Sequence, residues 1–334
     1  MNTHKLFSDF NSTIQLKDSK IAKLKTNRNA LRDRIRTYFE EHNWDAPRFY
    51  SQGSFSLGTN LNPIKKVTSD GDVKEAYDLD DGVYFICPKE ERKEPATYHD
   101  RIRKAVDGHT DKVIDKTTCI RVVYADGHHI DLPSYWLETD GDTPQLAHLS
   151  KGYIDSDPKA FKNWVSDKIS NANSNGQLRR VIRYFKAWKD FREDKNSNLK
   201  LPSGFILTIL VCRSFSKNDR DDLAFKSTAE GIKAALDSSF TCYRPTEPTN
   251  EDLMTEYSQG TILKELRDLI NNALRAIDSD YEKESSEFWR KVFGERFPLG
   301  KGEGDDTEKS SSIYPTRIKV SDELFTRREI FFYT

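Results

Sequence analysis

This chain of 334 residues has little of what usually announces a site. Its four cysteines, Cys87, Cys119, Cys212 and Cys242, include no Cys-x-x-Cys pair and no cysteine–histidine spacing of the zinc-site type. A structural zinc site and a disulfide framework are excluded, and scattered thiols fit a reducing, cytoplasmic setting. No signal-type apolar run follows Met1-Asn2-Thr3-His4-Lys5, and the most apolar stretch, Phe205 to Cys212, is far too short to span a bilayer. A cytoplasmic protein without a membrane partner is expected. Excess charge of one sign is also missing. Lys and Arg number 53 against 54 Asp and Glu, a formal net charge of −1, which argues against a constitutive nucleic-acid coat. There is no Gly-x-x-x-x-Gly-Lys-Ser/Thr, so no Walker-type loop. His128 and His129 belong to no His-x-x-x-His pair, and no Ser/His/Asp or Cys/His arrangement follows from spacing. A histidine-ligated hydrolase is therefore poorly supported, and His129 reads as a satisfied structural histidine.

What is present is patterned. Apolar residues make up 36% and charged residues 32%, polar for a globular protein, yet the apolar ones fall into periodic runs that mark a folded chain. Ile14, Ile21, Leu24, Leu31, Ile35 and Phe39 recur at helical spacing. They predict one long amphipathic helix ending before Pro47, with Lys23, Arg28, Arg32 and Arg36 as a solvated basic face. Residues 62–76, polar and carrying Pro63 and Gly71, read as an inserted loop. Tyr77 to Ile86 reads as a buried strand, and Arg121 to Leu132 as a β-hairpin closed by a tight primed turn at Asp126-Gly127.

The second half reads as helical. Leu178, Val181, Ile182, Phe185 and Trp188 define one helix, and Ile262, Leu263, Leu266, Leu269, Ile270, Leu274 and Ile277 another. Between them, Pro202-Ser203-Gly204 opens an apolar helix with Ser203 as N-cap. Residues 300–312 read as a polar loop. The C-terminal Phe331-Phe332-Tyr333-Thr334 reads either as a tail for a partner or as a last strand. A mixed α/β part, residues 1–165, and an all-helical part, residues 166–334, are expected to form two lobes with a ligand cleft between them.

The candidate chemistry rests on carboxylates. Asp78 and Asp80, one residue apart on a strand, point the same way, with Leu79 turned into the core. Asp131, on the polar face of the hairpin's second arm, can close the cluster from a neighbouring strand. Three converging carboxylates call for a cation, and hard oxygen donors suit Mg²⁺. Upstream, Gly53-Ser54 offers backbone N–H groups and a hydroxyl to a phosphate, with Gly58 and Thr59 as extensions. Metal-binding carboxylates beside a phosphate cradle are the equipment of phosphoryl or nucleotidyl transfer. Asp81 points the other way and reads as structural, capping a turn or pairing with a basic residue. Arg179, Arg183 and Lys186 form a stripe on one helix, either a solvated face or, at Lys186, a point charge for a triphosphate. Tyr135 and Tyr243 are candidates for stacking on a base or for packing.

These residues resemble a known family. Gln52-Gly53-Ser54-Phe55, Tyr77-Asp78-Leu79-Asp80-Asp81-Gly82-Val83-Tyr84-Phe85 and His129-Ile130-Asp131-Leu132-Pro133 are similar to core motifs of the polymerase-β-like nucleotidyltransferases. More narrowly they resemble the cGAS/DncV-like nucleotidyltransferases (CD-NTases) of bacterial CBASS antiphage systems. Arg180 to Lys189, Leu201 to Gly204 and Phe288 to Pro298 extend the likeness over most of the chain. The resemblance implies an α/β (α+β) fold: a nucleotidyltransferase core with a mixed sheet and a long N-terminal spine helix, and a C-terminal helical lobe like that of oligoadenylate synthases.

It further implies a cyclic di- or trinucleotide synthase using ATP, GTP or both and releasing pyrophosphate. Asp78, Asp80 and Asp131 would hold two Mg²⁺ (or Mn²⁺) ions, with Asp131 also accepting the hydroxyl proton. Gly53, Ser54, Lys186 and Ser203 would contact the nucleotide. A product-binding effector and regulatory or conjugating proteins would be partners. Without a zinc-bearing insertion, activation by double-stranded DNA is not expected. The alternative is a nucleotidyltransferase that makes linear products or modifies RNA or protein, and a catalytically silent nucleotide sensor is a further one.

Overall fold

The computed structural model describes residues 1–67 and 73–302. The C-terminal aromatic tail and most of the expected loop at 300–312 lie outside the described residues. The N-terminal region forms two helices where one was expected, α1 (His4–Ile14) and α2 (Asp18–Glu41). Gln15 and Lys17 are extended between them, and Gln15 bridges Leu61. The apolar repeat runs through the break, but its members go to different cores. Ile14 packs with the helices of the second half, whereas Leu24, Leu31, Ile35 and Phe39 pack on the sheet. The long N-terminal helix is α2 alone.

The chain continues through β1 (Arg48–Gln52), the short α3 (Gly53–Leu57), and a two-stranded ribbon of β2 (Lys66–Val67) and β3 (Val73–Lys74). It then forms β4 (Asp78–Ile86), α4 (Pro95–Val106), β5 (Lys112–Asp115), β6 (Cys119–Val123), β7 (His129–Leu137), β8 (Gln145–His148) and β9 (Gly152–Asp155). Helices follow: α5 (Pro158–Asn171), α6 (Gln177–Lys195), α7 (Gly204–Ser214), α8 (Asp221–Ser238), α9 (Gln259–Asp278) and α10 (Glu282–Phe293). Among the described residues, no helix is long and apolar enough to cross a membrane.

The main sheet runs β1-β4-β7-β6-β5, with β8 on the far half of β7 and β9 beyond it. It is mixed, because β4 and β7 are parallel while the other pairs are antiparallel. One face carries Leu79, Val83 and Phe85 of β4 and Ile130, Leu132 and Trp136 of β7 against α2 and α4. Each such side chain, taken from water, contributes about 1.5–3 kcal/mol. The helical core is rich in aromatics. Phe7 of α1 meets Trp289 and Tyr184 edge-on, with ring centroids 4.8 and 5.1 Å apart. It also takes Leu57, Phe161 and Val165, so it draws on residues up to position 165 at three places.

The basic face of α2 is less solvated than its pattern suggests. Lys23 pairs with Asp126 at 2.6 Å, Arg28 donates to Ser51 Oγ at 2.9 Å, and Arg32 grips Asp81 with two hydrogen bonds of 2.6 Å. Three of its cations therefore tie α2 to the sheet and hairpin. The hairpin itself is present, but its loop is not a two-residue primed turn. Tyr124 N donates to His128 O and Gly127 N to Tyr124 O, each at 2.9 Å, and of Asp126 and Gly127 only the glycine has positive φ, 95°. A three-residue loop ending in a left-handed glycine closes it instead.

Candidate active site

The site grows from the pairing of β4 with β7. Their parallel register sets Asp78 opposite His129 and Asp80 opposite Asp131. Neighbouring strands lie about 4.8 Å apart, and residues level with each other share a face. The three aspartates named from sequence therefore stand on one side of the sheet, two of them directly abreast. Asp81, on the other side, is fully buried and held by Arg32 and by Ser51 Oγ at 2.8 Å, the structural pairing expected of it.

Burial pushes the Asp80 carboxyl well above its usual range, and Asp78 and Asp131 add to the shift, with Arg121 and Lys186 opposing them. Asp131 goes the other way. Burial opposes its ionisation, but Arg121 of β6 outweighs it and holds the carboxyl below the usual range. Arg121 lies opposite Asp131 in the antiparallel register and binds both of its oxygens, Nε to Oδ1 at 2.7 Å and Nη2 to Oδ2 at 2.6 Å. The expected cluster is thus assembled by register but not as a ready cage. Among the described residues, no three His, Cys, Asp or Glu side chains group as a metal site.

Gly53 begins α3 directly after β1. Its φ of 64° is left-handed, and a Cβ there would overlap Asp80 Oδ2. Only glycine lets this turn lie against the carboxylate. Ser54 follows it in the first turn of α3. Beneath, Gln52 Nε2 donates to Tyr135 Oη at 3.0 Å, and the rings of Tyr84 and Tyr135 stack 4.7 Å apart. Tyr135 is fully buried in this stack, so it packs rather than meeting a base; Tyr243 is 48% exposed.

The stripe on α6 lies along the segment that follows α3. Arg179 Nε donates to Leu57 O at 3.1 Å, Arg183 Nη1 to Gly58 O at 2.8 Å, and Lys186 Nζ to Thr59 Oγ1 at 3.1 Å. It is therefore a seam between the two halves, not a solvated face. Lys186 rests against Gly204 at the start of α7. Burial lowers its ammonium to about 8, opposed by Asp78, Asp190 and Asp80. Ser203 caps α7, its Oγ accepting from Ile206 N at 3.3 Å. The cleft above Gly53 and Asp80 is walled by Gln52, Phe161, Phe205 and Arg244. Phe205 and Arg244, one on the apolar helix and one in a loop, carried no signal in the sequence.

The histidines divide. His128 stacks on Tyr124 and Tyr77 and hydrogen-bonds with Asp126 and Asn27. His129 Nε2, expected to be satisfied, is buried without a hydrogen-bond partner among the described residues. A His-Asp dipeptide does occur at His99-Asp100 on α4, but His99 is spent on Asp115 and Ala147 O, and Asp100 on Lys104.

A mixed sheet with an Asp-x-Asp strand, a third aspartate abreast and a glycine turn in contact with it define a polymerase-β-like nucleotidyltransferase fold. Residues 47–135 match the model of the nucleotidyltransferase domain of cyclic GMP-AMP synthase DncV-like proteins. That stretch of the chain is therefore similar to the cGAS/DncV-like nucleotidyltransferases. The chain is 26% identical over 282 residues to a cyclic GMP-AMP synthase of Escherichia albertii, a match covering 82% of this chain and 60% of that one. Thus it spans about 60% of that relative's length. It is 24% identical to a cyclic AMP-AMP-AMP synthase of an Acinetobacter species, over 89% of this chain and 86% of the other. The fold superposes on Vibrio cholerae DncV bound to the linear intermediate pppA(3′,5′)pG, with a TM-score of 0.74, 21% identity, and coverage of 90% and 99%. The apo form of DncV gives 0.73 at 22% identity, covering 89% and 96%.

Proposed function

We propose that this protein joins nucleoside triphosphates, ATP, GTP or both, into a cyclic di- or trinucleotide messenger with release of pyrophosphate, in antiphage signalling in the cytoplasm. The observation that carries the reading is the register that sets Asp80 abreast of Asp131 with Asp78 one step along. The names of the relatives, which make cyclic GMP-AMP and cyclic AMP-AMP-AMP, support the product class. A downstream effector that binds the product is the partner such a messenger requires.

The donor set fits Mg²⁺ or Mn²⁺: its ligands are hard oxygens, and the buried Asp80, raised by burial and by two neighbouring carboxylates, gains from a cation. Asp78, Asp80 and Asp131 would hold the ions, whose chemistry is to activate the attacking hydroxyl and to neutralise the leaving pyrophosphate. Gly53 and Ser54 would present the turn's N–H groups and hydroxyl to the donor phosphates. Lys186, at the seam and near Asp78 and Asp80, would add a point charge. Ser203 would sit beside it, its hydroxyl already used as a cap. The walls at Phe161 and Phe205 would exclude water from around a base. Asp131 would also be the natural acceptor of the attacking hydroxyl's proton.

The test is to incubate the protein with all four triphosphates and Mg²⁺ or Mn²⁺ and analyse products by mass spectrometry. Phosphatase-resistant rings are expected. Phosphatase-sensitive chains, or label transferred to RNA or protein, would overturn the reading in favour of the linear or macromolecule-modifying alternative.

A further inference from the structure

The Arg121–Asp131 pair has a property that a purely structural ion pair lacks: one of its members is wanted elsewhere. We infer that Arg121 is an internal counter-cation for Asp131, a positioning residue that a divalent metal must displace, at least in part, to recruit the third carboxylate. The inference rests on the assignment of Asp78, Asp80 and Asp131 as the metal-binding set.

The geometry supports it at each step. Both oxygens of Asp131 are engaged by the guanidinium, at 2.7 and 2.6 Å, leaving its best lone pairs aimed at β6 rather than across to Asp80. Arg121 is 8% exposed and Asp131 6%, so little water reaches either partner. The pair is enforced by backbone, because the two residues face each other in the antiparallel ladder of β6 and β7. Asp131 also lies abreast of Asp80 in the parallel ladder of β4 and β7. One carboxylate thus has a fixed cation on one flank and a carboxylate pair on the other. Asp78 and Asp80 have no ion-pair partner of their own within salt-bridge distance among the described residues.

Breaking a buried pair with no replacement cation leaves an uncompensated charge and is costly. A divalent ion held by Asp78, Asp80 and Asp131 would supply the replacement charge, so the exchange is feasible only with the ion there. Arg121 therefore keeps the Asp131 carboxylate pointed before the metal binds. It also weakens metal binding, because it competes for the same oxygens and adds a positive charge nearby.

The experiment is Mn²⁺ binding by electron paramagnetic resonance at fixed pH without nucleotide, on wild type, Arg121→Gln, Arg121→Lys and Asp131→Asn. Thermal melts in EDTA and in Mn²⁺ accompany it. Arg121→Gln is expected to bind Mn²⁺ about tenfold more tightly than wild type, and to melt lower in EDTA with a larger upward shift on adding the metal. Arg121→Lys keeps the charge but loses the two-pronged grip, and should fall between the two. Asp131→Asn should bind more weakly than wild type. Equal or weaker Mn²⁺ affinity in both Arg121 variants, with wild type binding normally, overturns the competition and leaves the metal assignment standing. No Mn²⁺ binding by any of the proteins overturns both. If Arg121→Gln folds only with Mn²⁺, the inference is supported; if it stays unfolded with the metal, Arg121→Lys decides by its affinity.

Discussion

The two faces of β4 put adjacent buried aspartates to opposite uses. Asp81, on the face toward α2, is gripped by Arg32 and Ser51 and fully enclosed. Asp80, one residue earlier on the cleft face, is 6% exposed and has no ion-pair partner within reach among the described residues; instead it has two more carboxylates beside it. A buried charge that is paired belongs to the architecture, since removing its partner alone is strongly destabilising. A buried carboxylate crowded by its own kind is held in place by the rest of the fold at some cost, the pattern that marks a candidate binding site. Sequence neighbours can therefore be sorted into structure and function by asking where each one's counter-charge lies.

The sharpest way to break this comparison is to neutralise the cleft face. Asp78→Ala with Asp80→Ala should lower product formation about 1000-fold or more, equivalent to roughly 4 kcal/mol of barrier, while the melting temperature holds or rises. Loss of fold would show that Asp80 is as structural as Asp81. The mirror experiment is Arg32→Ala, which strands Asp81. Its expected cost is about 3–5 kcal/mol of stability, read by urea unfolding, and Arg32→Ala with Asp81→Asn should recover part of it.

A smaller effect is expected at the turn joining the two faces. Gly53→Ala meets both a left-handed φ of 64° and the Asp80 carboxylate, and should cost about 1–3 kcal/mol in stability or the equivalent in activity, measured by melting and by turnover. The mildest test uses paired acids far from the cleft. Burial disfavours the charge on Asp221, but hydrogen bonds from Arg180, Gln177 and Tyr184 win and hold its carboxyl below the usual range. An unfolded aspartate titrates near about 3.9, so the stabilisation is complete above that pH and is lost as pH falls through the lower folded value. Asp221→Asn should therefore melt below wild type at pH 7, by about 1–2 kcal/mol, with the gap narrowing at pH 3.

Much of this was legible in the residues, for physical reasons that differ from one element to the next. The strand through Asp78 and Asp80 and the arm carrying Asp131 showed alternation, and both cores follow periodicity. Trp188, Leu178 and Phe185 are buried on α6 as their spacing requires. What the sequence could not display was pairing at a distance. Nothing local says that Arg121 faces Asp131 or that Arg32 reaches Asp81, because those contacts depend on strand register and helix docking. The break at Gln15–Lys17 was hidden for a related reason: a heptad-like repeat continues across it, and only the partner of Ile14 reveals that one helix has become two. The stripe on α6 was ambiguous until the carbonyls of Leu57 and Gly58 supplied its acceptors.

The place of α1 has a consequence for how the chain comes together. This helix is near the start of the chain, yet its rings Phe7 and Phe10 lodge among Tyr184, Phe225, Trp289, Phe293 and Phe297. During synthesis the sheet can close around α2 while α1 waits with its aromatic side bare, until residues nearly three hundred positions later emerge. The helical core therefore cannot be complete before the last helices emerge, and it is built from both ends of the described chain. Trimming the first fourteen residues would strip side chains from the aromatic core at the far end of the chain and none from the core under the sheet.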